Sequence, residues 1–232
     1  MLLTRNLKSL LKNYEATLPA QDFASFMTYI EAMISKTVAD LRAYAPGAER
    51  GRRVHELLEI EIQKASSVKS TCRAGCAACC HFEVEITSDE AEILSELVAS
   101  GEKAIDQVAL FAQAARSSQD ALWAEGRTRE NKCVFLSAEN QCGVYENRPS
   151  SCRRLLVTTP PSECFDANGA PIPIAIPLAE VVLSAAIGSH DNTFGPLAQM
   201  VGKRLIEKRA LEVAKASIVD PPAFTPTRPI EL

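Results

Sequence analysis

Residues 72–80 read Cys72-Arg73-Ala74-Gly75-Cys76-Ala77-Ala78-Cys79-Cys80, a C-x3-C-x2-C-C run. One or two cysteines are ordinarily small buried hydrophobes, but that reading does not account for four in nine residues. Thiolates are soft ligands that suit zinc and iron–sulfur clusters. Gaps of two or three residues bring consecutive sulfurs to one centre without closing a long loop. The residues between them are Ala, Gly and a single Arg, so the backbone can wrap closely and aim N–H groups at the sulfurs. Adjacent Cys79 and Cys80 point in different directions in most backbone conformations. Either one is a ligand and the other its neighbour, or the two serve different metals.

A second cysteine region follows. Cys133-Val134-Phe135-Leu136 and Cys142-Gly143-Val144-Tyr145 flank a polar turn and read as a short β-hairpin. Pro149 suits the first turn of a short helix carrying Cys152. A tetrahedral site needs four ligands, and a [4Fe–4S] cluster commonly takes four cysteines. Cys133, Cys142 and Cys152 therefore join Cys72, Cys76, Cys79 and Cys80 as candidate ligands, enough for one site with spares or for two. The two regions are expected to converge, because neither alone offers an undisputed set of four. Cys164 is the weakest candidate, and His81 is an alternative fourth ligand if one cysteine is spare. Arg73, Arg148, Arg153 and Arg154 lie beside these sulfurs and would offset thiolate charge. Taken singly, each arginine reads more simply as a solvated surface group.

The flanks are helical. Leu3, Leu7, Leu10, Leu11 and Tyr14 share one stripe of residues 2–14. Phe23, Phe26, Met27, Ile30, Met33, Ile34, Val38 and Leu41 do so over 22–44, after Pro19. Val54, Leu57, Leu58 and Ile62 define a third helix over 50–66. Phe82–Ile86 alternates like a short strand, and Thr87-Ser88-Asp89-Glu90 is a capping box opening a helix to about Ala99. Further helices are expected near 103–116, 178–188 and 196–212, with a helical turn or two at 118–128 around Trp123. Prolines 221, 222, 226 and 229 mark an extended or disordered tail. The architecture expected is mainly α. A scaffold over 1–66 and a helical segment over 166–217 clasp a loop-rich metal centre with a short β-hairpin over 67–165, and a Pro-rich tail occupies 218–232.

The 232 residues carry 25 Lys+Arg against 29 Asp+Glu, a formal charge of −4, which excludes a broad basic surface for nucleic acid. Arg5, Lys8 and Lys12 interrupt the N-terminus, so no secretory signal is read there. The most apolar stretch, Ile172–Gly188, contains Pro173, Pro177 and Glu180 and is shorter than the roughly 20 residues that span a bilayer. A cytoplasmic protein is expected, in which thiols stay reduced and clustered cysteines serve metal rather than disulfides.

In order, C-x3-C-x2-C-C at 72–80 and C-V-F-L…C-G-V-Y-E-N-R-P-S-S-C-R at 133–153 resemble the bacterial YkgJ-type cysteine-cluster proteins, zinc- or iron-chelating domains of the CxxCxxCC pattern. The matching positions are Cys72, Cys76, Cys79, Cys80, Cys133, Cys142, Arg148, Pro149, Cys152 and Arg153. The first gap here is three residues where the family name implies two. The resemblance covers about residues 70–155 and implies metal binding, with zinc or iron as the cofactor, far better than any reaction.

Other readings are weaker. Cys72, Cys76 and Cys79 have the spacing of radical S-adenosylmethionine enzymes, but the chain lacks their βα alternation and Cys80 is foreign to that pattern. His55-Glu56-Leu57-Leu58-Glu59 has Glu where the zinc-protease helix needs its second His, and reads as a polar helix surface. His190 beside Asp191 has the chemistry of a general base, with no nucleophile nearby. Three functions remain: an iron–sulfur protein with a redox role (if an enzyme, an oxidoreductase), a zinc-organised interaction module, and a metal carrier.

Overall fold

The structure is a computed structural model that describes residues 3–117, 120–121, 128–166, 168–189 and 191–218. Three helices come first. In α1 (Arg5–Thr17) the Thr4 side chain caps the first turn by accepting from the Leu7 N–H. Pro19 precedes α2 (Ala20–Leu41), and Gly47, at φ 105°, turns the chain into α3 (Ala48–Lys64). These three helices bury Leu7, Leu11, Ile30, Ile34, Leu41, Val54 and Leu58. The fourth member of that layer comes from far along the chain: α8 (Pro177–Ile187) packs against all three and contributes Val181, Val182, Ala185 and Ala186.

A second core lies beside the first. It is built from α4 (Ser88–Ala99), α5 (Gln107–Ala114), α9 (Leu197–Ile218) and the loop carrying Val134, Phe135 and Val144. The capping box at the start of α4 forms as its sequence requires, with Thr87 and Glu90 bonded to each other's backbone. The two cores meet where α3 crosses α4. A Cβ at Gly51 would lie 2.9 Å from Ile93 Cδ1 and 3.0 Å from the Asp89 carbonyl, so only glycine permits the helices this approach. Across the same contact the buried Arg50 guanidinium grips Asp89, with Nε 2.6 Å from Oδ2 and Nη2 3.1 Å from Oδ1.

The sheet departs from expectation. β1 (Glu85–Thr87) pairs antiparallel with β2 (Phe194–Pro196), placing Ile86 opposite Gly195. The hairpin expected at 133–145 is reduced to a single bridge between Leu136 and Cys142. Its first segment has other partners. The Cys133 N–H donates to the Cys80 carbonyl at 2.7 Å, and the Val134 carbonyl accepts from the Asp106 N–H at 2.9 Å. With those groups engaged, no ladder extends. Pro149 caps the short helix α6 (Ser150–Arg153) from just outside its first turn. A further short helix, α7 (Pro161–Phe165), opens with Pro161 in its first turn. Most of the helical turns expected around Trp123, together with His190 and the tail beyond 218, lie outside the described residues.

Candidate metal centre

Two stretches of irregular backbone and one short helix carry seven of the eight cysteines. From 72 to 80 the chain turns at Gly75, φ 83°, and then winds into a single 3-10 turn over Ala78–His81. Ala77 and Ala78 are buried. They pin this loop to the protein and leave Cys76, Cys79 and Cys80 half-buried on either side. The second piece is the 133–144 loop, tied to the first by the Cys133–Cys80 backbone bond. The third is α6, which presents Cys152.

These pieces enclose one cavity of about 460 Å³, and seven cysteines line it: Cys72, Cys76, Cys79, Cys80, Cys133, Cys142 and Cys152. The two cysteine regions thus meet in space. No cysteine is in a disulfide. Among the described residues no three His, Cys, Asp or Glu side chains stand together as a ready-made metal cage. The sulfurs share a chamber rather than a coordination sphere. The remaining wall is largely apolar, with Leu3, Phe135, Leu183, Ile187 and Phe194. Two earlier candidates stand apart. Cys164 is on α7, which packs against the 78–81 turn, and His81 directs Nδ1 to the Ala77 carbonyl at 3.2 Å. Neither lines the chamber.

The thiols differ sharply in character. The Cys80 Sγ–H hydrogen-bonds the Cys79 sulfur and, aided by a backbone N–H and the Arg148 charge, brings Cys79 down to about 6. The same bond, together with burial, pushes Cys80 well up. Burial raises Cys133 to about 11, and it raises Cys142 and Cys152 as well. Cys79, Cys80, Cys133, Cys142 and Cys152 lie within electrostatic reach of one another, each disfavouring a second negative charge nearby.

The arginines divide by role. Arg148 lines the chamber, stacks 4.4 Å from the Tyr145 ring centroid and favours ionisation of Cys79 and Cys142. Arg153 donates to the Arg148 carbonyl at 2.9 Å and lies 3.7 Å from Glu59 on α3. Arg154 pairs with Glu180 on α8 at 2.7 Å. Arg153 and Arg154 tie α6 to α3 and α8, and Arg154 also lines the chamber.

Sequence reasoning missed two groups. Glu83 lines the chamber, and one of its carboxyl oxygens is buried without a partner. Burial pushes that carboxyl up to about 7. A small cavity of about 20 Å³ beside it, also lined by Gln113 and Asn131, has room for one water. His55 is no polar surface group: it is buried on α3, 3.2 Å from Glu90 Oε1. Its i+4 neighbour Glu59 was the visible pairing, whereas the true partner lies on another helix.

Residues 71–165 match the family model CxxCxxCC, described as "Putative zinc- or iron-chelating domain". The cysteine-rich centre is similar to the CxxCxxCC domain over that segment. All eight cysteines fall within it, and metal chelation is the property its family description carries. No curated protein and no solved structure matches the chain. The matched segment does not stand alone in this fold, since the chamber takes wall residues from α1 and α8, both outside it. Among the described residues no helix is long and apolar enough to cross a membrane.

Proposed function

We propose that this protein chelates zinc or an iron–sulfur cluster in the cysteine-lined chamber, through Cys72, Cys76, Cys79, Cys80, Cys133, Cys142 and Cys152. The observation that carries the reading is that seven thiols from three separate stretches of chain line one cavity. The donor set fits the cargo. Sulfur dominates it, which suits zinc and iron–sulfur chemistry and not magnesium or calcium. Cys79 ionises most readily and makes the first contact. Arg148 offsets thiolate charge as further sulfurs deprotonate. Apolar residues on the wall lower the local polarity, which strengthens electrostatic contacts beside them.

Protein purified without oxygen tests this by visible absorption together with iron, zinc and sulfide content. A broad thiolate-to-iron band with matching iron and sulfide assigns a cluster. Colourless protein holding zinc assigns a structural or metal-handling role. Cys133→Ser and Cys152→Ser should each lower metal content as Cys76→Ser does. Wild-type stoichiometry in Cys133→Ser and Cys152→Ser would sink the shared site, and protein that takes up neither zinc nor iron would sink chelation itself.

A further inference from the structure

Cys152 sits on α6, a helix of four residues. One turn of helix has no stability of its own, so something else must fix it. The anchor is a buried carboxylate. Glu90 Oε1 accepts from the Ser150 N–H at 2.6 Å and faces His55 Nε2 at 3.2 Å. Its Oε2 accepts from the Thr87 N–H at 2.9 Å and the Thr87 hydroxyl at 3.1 Å. Glu90 and Ser150 are sealed from solvent and His55 nearly so. Three elements thus close on one side chain: α3 through His55, the start of α4 through Thr87, and α6 through Ser150.

We infer that Glu90, oriented by His55, is a positioning residue of the metal centre, holding α6 so that Cys152 faces the chamber. The inference rests on the reading that Cys152 is a ligand. It also gives α3, which lies outside the CxxCxxCC match, a part in metal binding. Neither Glu90 nor His55 lines the chamber, so both act through the backbone of Ser150.

The test is a double-mutant cycle on the full chain, read as zinc affinity against a competing chelator. Glu90→Gln replaces one accepting oxygen with an amide N–H₂ that faces a donor, the backbone N–H of either Ser150 or Thr87. Loss of such an outer partner lowers metal affinity roughly 10–100-fold. The loss is expected in protein that retains Cys152 and should vanish in the Cys152→Ser background. Equal losses in both backgrounds would mean a general effect on the fold and would overturn the inference. So would tighter binding in Glu90→Gln, which would show that the carboxylate acts on Cys152 by charge rather than by position. Cys152→Ser with undiminished affinity overturns the ligand reading and the inference together. A loss in Cys152→Ser without one in Glu90→Gln overturns the inference alone. His55→Ala, a milder cut in the same clamp, runs the same cycle if Glu90→Gln fails to fold, and His55→Gln should restore part of the affinity.

Discussion

Replacing Arg50 by Met should be among the most damaging single changes outside the cysteines. The guanidinium and the Asp89 carboxylate are both almost fully buried, and two of the three hydrogen bonds to that carboxylate come from Arg50. The third, from the Gly47 N–H at 2.8 Å, remains. Arg50→Met therefore leaves a buried, singly bonded anion. Breaking a buried pair from one side costs about 3–5 kcal/mol. In a chain of this size that lowers Tm by roughly 6–20 °C, at about 2–4 °C per kcal/mol. The exposed arm to Asp191, at 2.9 Å, adds little. Urea and thermal denaturation measure the loss. The second arm of the experiment separates charge from packing. Asp89→Asn keeps an oxygen for Gly47 and removes the stranded charge, so the double variant Arg50→Met/Asp89→Asn should recover much of the loss. A cost below about 1 kcal/mol for Arg50→Met, typical of a surface pair, would refute the reasoning. A double variant as unstable as the sum of the singles would refute it too.

Three further outcomes follow from the titrating groups. Burial works against ionisation of Glu90, but its bonds from His55, Thr87 and Ser150 outweigh that and hold it down to about 2. The stabilisation, on the order of 3 kcal/mol, is present above pH 4.5 or so and disappears as pH falls toward 2, which urea midpoints at pH 7 and pH 3 will show. Glu83 has the opposite sign: burial raises it to about 7, so its contribution is present at acid pH and lost as pH rises through 7. Glu83→Gln should be more stable than the wild type at pH 8, and equal or lower stability there refutes the assignment. In metal-free protein at pH 7, iodoacetamide followed by peptide mapping should find Cys79 alkylated ahead of Cys133 and Cys152, and Cys80→Ala should slow that labelling by removing the hydrogen bond to the Cys79 sulfur.

The helices were legible because their stripes are local. Leu7 and Leu11, Ile30 and Ile34, and Val54 and Leu58 announce buried faces within one turn of each other, and the Thr87–Glu90 box declares its own start. The sheet was half legible. The alternation at 82–86 signals β1, but the partner reads Phe194-Gly195-Pro196, in which Gly195 and Pro196 are poor strand formers and the pairing is set by tertiary position. The 133–145 hairpin was over-read for the converse reason. Local pattern suggested a ladder, while the Cys133 and Val134 backbone groups found partners at Cys80 and Asp106. The cysteines were visible as a set but not as a chamber, because its apolar wall also takes Leu3 from ahead of α1, Leu183 and Ile187 from α8 and Phe194 from β2, all far from the cysteines in sequence. His55 hides in the same way: its meaning depends on Glu90, thirty-five positions away.

The unequal acidities give the proposed centre a direction. Five of the chamber's seven sulfurs disfavour charge on one another and do not ionise together without a cation, and burial drives Cys133, Cys142 and Cys152 toward the neutral form. Cys79 escapes, because Cys80 donates to it and Arg148 stands near. Among these five sulfurs Cys79 is therefore the readiest to ionise in metal-free protein. Each further sulfur must give up a proton to bind, so chelation here is coupled to proton release. In the proposed centre the buried thiols, costly to ionise without metal, are those whose binding should respond most to pH, and Cys152 is the one among them that the proposed Glu90 clamp positions.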